Sequence, residues 1–276
     1  MHKLSASLLL AMSVAGCATG SVAPPTLSYS APVAREVTYD YSSTTTLGIS
    51  LMGQSMQLRQ EGSATYSVGF TPTAAGVDVR LSVVELSASI SNPLGAPITV
   101  DEGAIEGSLE FSLDRVGNAI LRTTPVVAEE ASQMFSGIAL ANGFFPGLPG
   151  RAVGLGDQWV DTVSYEGETD MGMRSETSIL TYTVTGDTVV SGRPLLVFEM
   201  SGSVSSEFDM SVQGMSVGQA SELEVEGRVL WDHRTSEMVE SRRTAVGEGS
   251  LRIPLTPAPL PIRIESTEHA RLKERP

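Results

Sequence analysis

The chain has 276 residues and is acidic, with 18 Lys and Arg against 32 Asp and Glu and a formal net charge of −14. A surface that neutralises phosphates needs clustered basic side chains, so nucleic acid is excluded as a partner. Hydrophobic residues make up 41%, enough for a core, while 18% charged and 5% aromatic residues suit a Ser/Thr/Val/Gly-rich β protein better than a charged helical bundle.

Residues 1–17 read MHKLSASLLLAMSVAGC. Lys3 supplies a basic start, and Leu8 to Val14 form an apolar stretch too short to span a bilayer as a helix. The small residues Ala15 and Gly16 precede Cys17, as a signal peptidase requires. As the only cysteine, Cys17 makes no internal disulfide, and Cys-rich metal sites are excluded. The tetrad Val14-Ala15-Gly16-Cys17 resembles the lipobox of bacterial lipoproteins. That resemblance implies removal of residues 1–16, a diacylglycerol on the Cys17 sulfur and a palmitate-type chain on its new amino group. Two or more chains anchor stably where one is marginal. Position 18 is Ala, where Asp would be the inner-membrane retention mark of enteric lipoproteins. The expected place is therefore the outer membrane, with the body facing the periplasm. Residues 17–35 (CATGSVAPPTLSYSAPVAR) read as a lipidated, flexible tether that reaches roughly 60 Å when extended.

Residues 36–276 read as a single β domain. Period-2 alternation runs through VTYDYSSTTTLGISL, MQLRQEGSATYSVGF and VDVRLSVVELSASI, separated by the turn segments MGQS and TPTAAG. GSLEFSLD and NAILRTT flank RVG as an Asp-headed hairpin. PVVAEEASQMFSGIALANGFF breaks the alternation, with Pro125 at its start and Gly143 at its end; one amphipathic helix is expected over about 126–142. FFPGLPGRAVGLGDQW follows. It lacks the Gly-Lys-Ser/Thr end of a phosphate loop and reads as a hinge anchored by Phe144, Phe145, Leu148, Leu155 and Trp159. Strand patterns resume from Trp159 to the C-terminus, giving about eleven or twelve antiparallel strands. Met and Gly recur at hairpin turns (Met52, Met56, Met171, Met173, Met210, Met215), hinting at two related halves, 36–125 and 158–272. The fold class expected is all-β: a strongly curved antiparallel sheet, or open half-barrel, with one packed helix.

PGRAVGLGDQW also resembles a pattern of uncharacterised secreted bacterial β proteins, in which Pro-x-x-x-Val-x-x-Gly-Asp-x-Trp opens the second half. The outline is similar to the half-barrels of the LolA and LolB lipoprotein carriers, a likeness of fold that transfers no function.

Catalytic signals are sparse. Gly214-Met215-Ser216-Val217-Gly218 matches the G-x-S-x-G nucleophile pattern, which works only at a strand-to-helix turn. Leu223, Val225 and Val229 alternate as in a strand instead, so a serine hydrolase using Ser216 is the least favoured alternative and no enzyme is expected. His233 and His269 have no metal-ligand spacing, and no metal or cofactor is expected. The preferred reading is binding of a hydrophobic or amphipathic ligand, a lipid or acyl chain, with Met134, Ile138, Phe144, Phe145, Leu148 and Trp159 as candidate contacts. The alternative is a structural module that docks an envelope protein partner. The two differ in whether the Phe144, Phe145 and Trp159 rings close the mouth of a pocket or fill its place.

Overall fold

The computed structural model describes residues 24–30, 34–51, 54–91, 96–132, 134–169, 172–212, 215–254, 256 and 258–273. The expected signal peptide and the lipidation site Cys17 lie outside the described residues. In chain order the strands are β1 (Arg35–Leu51), β2 (Gln54–Pro72), β3 (Gly76–Ser91), β4 (Ile98–Asp101), β5 (Ile105–Glu106), β6 (Leu109–Asp114), β7 (Ala119–Thr123) and β8 (Val126–Val127). Two short helices follow, α1 (Glu129–Ser132) and α2 (Gly137–Gly143). Then come β9 (Gln158–Thr169), β10 (Gly172–Val190), β11 (Arg193–Val212), β12 (Met215–Asp232), β13 (Glu237–Arg252) and β14 (Leu260–Leu272).

Twelve strands form one antiparallel sheet in the order β7-β6-β3-β2-β1-β14-β13-β12-β11-β10-β9, with β4 also paired to β3. The order is a double meander. The first half lays strands outward from β1 to the β7 edge. The second half begins at the β9 edge and works inward until β14 closes on β1, from Tyr39 opposite Leu272 to Ile49 opposite Ile262. The two edge strands do not pair, so the sheet is open, as the alternation predicted.

β14 shows why these residues form strands with one wet and one dry face. Ile262, Ile264, Ala270 and Leu272 are buried, while the alternate residues Arg263, Glu265, Thr267 and Arg271 are exposed. The sheet is bent as well as twisted. Tyr66 on β2 and Glu176 on β10 line one cavity, although six strand spacings of about 4.8 Å separate them along the sheet. Glycines on the concave side permit the bend. A Cβ at Gly202 would stand 2.0 Å from the Ile179 carbonyl oxygen, and one at Gly247 would stand 2.0 Å from that of Glu222. Register shifts at Thr65/Tyr66, Val184/Gly186 and Leu230/Trp231 add local bending.

Two expectations change in detail. The helix expected over 126–142 is split and shorter. Val126 and Val127, both β-branched, pair with Glu106 and Ile105 instead of entering a helix. The Ser132 hydroxyl donates to the Glu129 carbonyl, and Ser136, with extended backbone, accepts from the Ala139 N–H and starts a second helix. Part of the segment expected as a tether over 17–35 is folded instead, and Arg35 already begins β1. Residues 24–30 are docked as a strap, with Leu27 fully buried and Tyr29 2% exposed. The strap stitches both flanks of the open sheet. The Tyr29 N–H donates to Arg115 O in the β6–β7 turn, and the Leu27 N–H to Arg151 O in the loop before β9. Two apolar side chains with a matching hole lose less by docking than by staying solvated, even in a Pro-bearing segment.

Candidate functional site

The chain must travel from the β7 edge to the β9 edge, and residues 124–157 do so across the concave face. This crossing builds the site. At one end of the concave face the crossing is an aromatic plug. Phe144 and Phe145 lie 4.9 Å apart, edge to face. Phe144 packs on Tyr39 at 5.5 Å and Tyr66 at 5.8 Å, and Phe145 on Phe70 at 5.7 Å. Trp159 stacks on Tyr182 at 5.3 Å and donates its indole N–H to the Gly147 carbonyl at 3.0 Å. The Leu148 N–H donates to Val116 O at 2.7 Å, tying the loop to the opposite edge. The rings therefore fill this end of the sheet.

Beyond the plug, between α2 and the concave face from β2 across to β10, lies a cleft of about 370 Å³. Its apolar wall includes Leu140, Phe144, Val204, Leu223 and Val225. Its polar waist is unusual for a concave β face. Arg243 on β13 faces Glu268 on β14 at 2.6 Å, and Arg174 faces Glu176 on β10 at 2.8 Å. Both pairs are only partly exposed. Ser206 and Ser221 hydroxyls lie 2.9 Å apart across β11 and β12, and Thr45 and Ser266 hydroxyls 3.1 Å apart across β1 and β14. Glu268 raises the Arg243 pKa, outweighing the burial that lowers it. Burial lowers that of Arg174, but Tyr165 and Glu176 beside it outweigh the effect and hold it up. Burial first, then Glu268, keeps the Tyr41 phenol protonated far above its ordinary range. Farther along the same strands the concave face becomes an apolar lip. Ile49, Ile262 and Ile264 are buried there, with Leu47, Leu58 and Leu251 packed against them. On the other flank Phe208, half-buried, stands opposite Arg174.

Of the six candidate ligand contacts, Met134 and Phe144 line the cleft. Ile138 reaches over Gly167, its Cδ1 3.0 Å from where a Cβ would stand. Phe145, Leu148 and Trp159 are core residues, whereas Leu155, expected as a further loop anchor, is 79% exposed. Ser216 sits in β12 opposite Ser211, exposed, and the strand runs through it. His269 faces Arg242, which pairs with Arg228, twelve residues farther up β12 from Ser216. At 3.3 Å per residue that is roughly 40 Å, beyond any Ser–His contact. Among the clustered methionines, Met52 and Met171 lie outside the described residues, and Met173 is exposed.

The charged waist was missed in the sequence, yet it left a signal. In β14 the inward register of Ile262, Ile264, Ala270 and Leu272 also contains Glu268. In β13 the adjacent Arg242 and Arg243 cannot both face water, because neighbours on a strand point to opposite faces. A charge in the dry register marks a lined cavity or a buried pair.

No family model matches the chain, and no curated protein matches it either. Among solved structures it is similar to DynF from the dynemicin biosynthesis pathway of Micromonospora chersina, at 9% identity over 91% of this chain and 87% of that one, with a TM-score of 0.27. It is also similar to a DUF1329 family protein from Desulfovibrio piger, at 11% identity over 85% and 84%, with a TM-score of 0.14. Values this low carry nothing about function.

Proposed function

We propose that this chain is a lipid-anchored protein of the outer membrane, facing the periplasm, that binds an amphipathic ligand without catalysis in the cleft of its curved sheet. What carries the reading is one observation: a cleft of about 370 Å³ with an apolar wall and a hydrogen-bonding waist. Its size falls in the range of small-molecule sites. The lipobox-like Val14-Ala15-Gly16-Cys17 supports the anchor. A second reading, docking of an envelope protein, is favoured by exposed Ile120 (68%) on β7 and Val160 (61%) on β9, the two unpaired edges.

The test uses the mature chain carrying Cys17→Ser, purified from the periplasm. Mass spectrometry of an organic extract is expected to show a bound amphiphile, and a fluorescent acyl probe to bind. Val204→Trp, which fills the cleft, is expected to weaken the probe at least about tenfold while thermal unfolding stays cooperative. An empty extract together with no probe binding sinks the ligand reading. Wild-type protein should take up palmitate label and fractionate with the outer membrane, and Cys17→Ser should do neither.

A further inference from the structure

The waist of the cleft is balanced in charge. Four charged side chains line the cavity, and each guanidinium has a carboxylate beside it, Arg243 with Glu268 at 2.6 Å and Arg174 with Glu176 at 2.8 Å, while the buried Arg174 Nε makes no hydrogen bond. A carboxylate or phosphate entering at Arg243 would have to displace Glu268 from it, leaving a partly buried anion without its partner. Breaking such a pair is costly. An ammonium would face the converse problem at the arginines. The hydroxyl pairs Ser206–Ser221 and Thr45–Ser266 can exchange their mutual bonds for bonds to a guest at little cost, since each hydroxyl both donates and accepts.

The layers also set direction. Along β1 and β14 the plug closes one end, Thr45 and Ser266 come next, and the apolar lip around Ile49 and Ile262 lies farthest out, whereas on the far flank Arg174 stands directly opposite Phe208. An amphiphile lying along β1 and β14 satisfies all three with its head inward at the waist and its chain outward along the lip. Resting on the ligand-binding reading above, we infer that the cleft takes an uncharged, hydroxyl-bearing single-chain amphiphile, head first, and discriminates against charged heads of the same chain length.

Three probes with one chain and different heads test this: the glycerol monoester of dodecanoic acid, dodecanoate and dodecylammonium, each displacing the same fluorescent acyl probe from the mature Cys17→Ser chain at pH 7.5. The ester is expected to bind at least about tenfold more tightly than either ion. Glu268→Gln frees Arg243 and is expected to move the ester-to-dodecanoate preference at least about tenfold toward dodecanoate; Glu176→Gln, freeing Arg174, should do the same. Should either variant unfold at the assay temperature, the wild-type ranking decides alone. An ion that binds wild type as well as the ester, or folded variants with an unchanged preference, overturns the inference while leaving ligand binding intact. If neither the acyl probe nor any of the three compounds binds, the ligand-binding reading itself falls, and this inference with it.

Discussion

Phe144 is the residue on which the interior turns. It touches rings from β1, β2 and its own neighbour Phe145, and it separates plug from cleft. Phe144→Ala should cost about 3–5 kcal/mol in chemical denaturation, because a ring-sized cavity opens among aromatic groups that cannot close over it. Asp161 is a different case. Burial first, and then the charge of Asp114 across the seam, raises its carboxyl pKa above the ordinary 3.8. The folded state therefore holds this proton more tightly than the unfolded chain does. Stability contributed here is present below the ordinary value and lost as pH rises through the folded one. Asp161→Asn should raise Tm at pH 7 by about 2–4 °C, what ~1 kcal/mol does in a chain near this length. The gain over wild type should vanish toward pH 4 in a pH-resolved melting series; a gain independent of pH would refute this account. Asp114 itself goes the other way: burial would raise its pKa, but bonds from Asn118, Val116 and Gly117 outweigh it and lower it. These bonds close the hairpin read from Asp-Arg-Val-Gly, where Asp114 Oδ1 accepts from Val116, Gly117 and Asn118 N–H at 2.8–2.9 Å. Nothing local foretold that the charge of Asp114 would act on Asp161, since they sit on opposite flanks of the sheet.

At the scale of elements, alternation made the strands legible and placed most boundaries within a few residues. It also exposed the helix segment as different, but not as two helices. Val126 and Val127 entered a strand because Ile105 and Glu106 offered backbone partners, a contact that propensity cannot see. The glycines carry a sharper lesson. In sequence, Gly202 and Gly247 are weak points of otherwise good strands; in the sheet they are where neighbouring strands approach too closely for a Cβ. Gly202→Ala should therefore destabilise by about 1–3 kcal/mol despite the higher strand propensity of Ala, as overpacking does. Equilibrium denaturation in guanidinium reads it directly, and a stabilised variant would show that the bend at β11 does not depend on that glycine.

For the whole molecule, the strap matters most. Docking of residues 24–30 leaves only the seven residue steps from Cys17 to Pro24 between the expected anchor and the folded body, a reach of at most ~25 Å. The strap lies at the plug end, so that end should face the membrane and the apolar lip should point away from it. A photoreactive label at Leu155, exposed in the loop beside the strap, should crosslink to lipid headgroups in vesicles bearing the lipidated protein. A label at Gln57, on the outer face of β2 near the lip, should not; the reverse pattern would mean that the strap peels off the body. By itself the sequence determined the all-β class and the open antiparallel meander, because these depend on composition and on period-2 patterning that each strand carries locally. Only the tertiary structure decided that FFPGLPGRAVGLGDQW fills one end of the sheet and stitches its edges, and that Arg243 meets Glu268 in a cleft beyond it. The reason is register: cross-strand pairing and sheet curvature bring together residues from distant hairpins, and neither is written in any single segment of the chain.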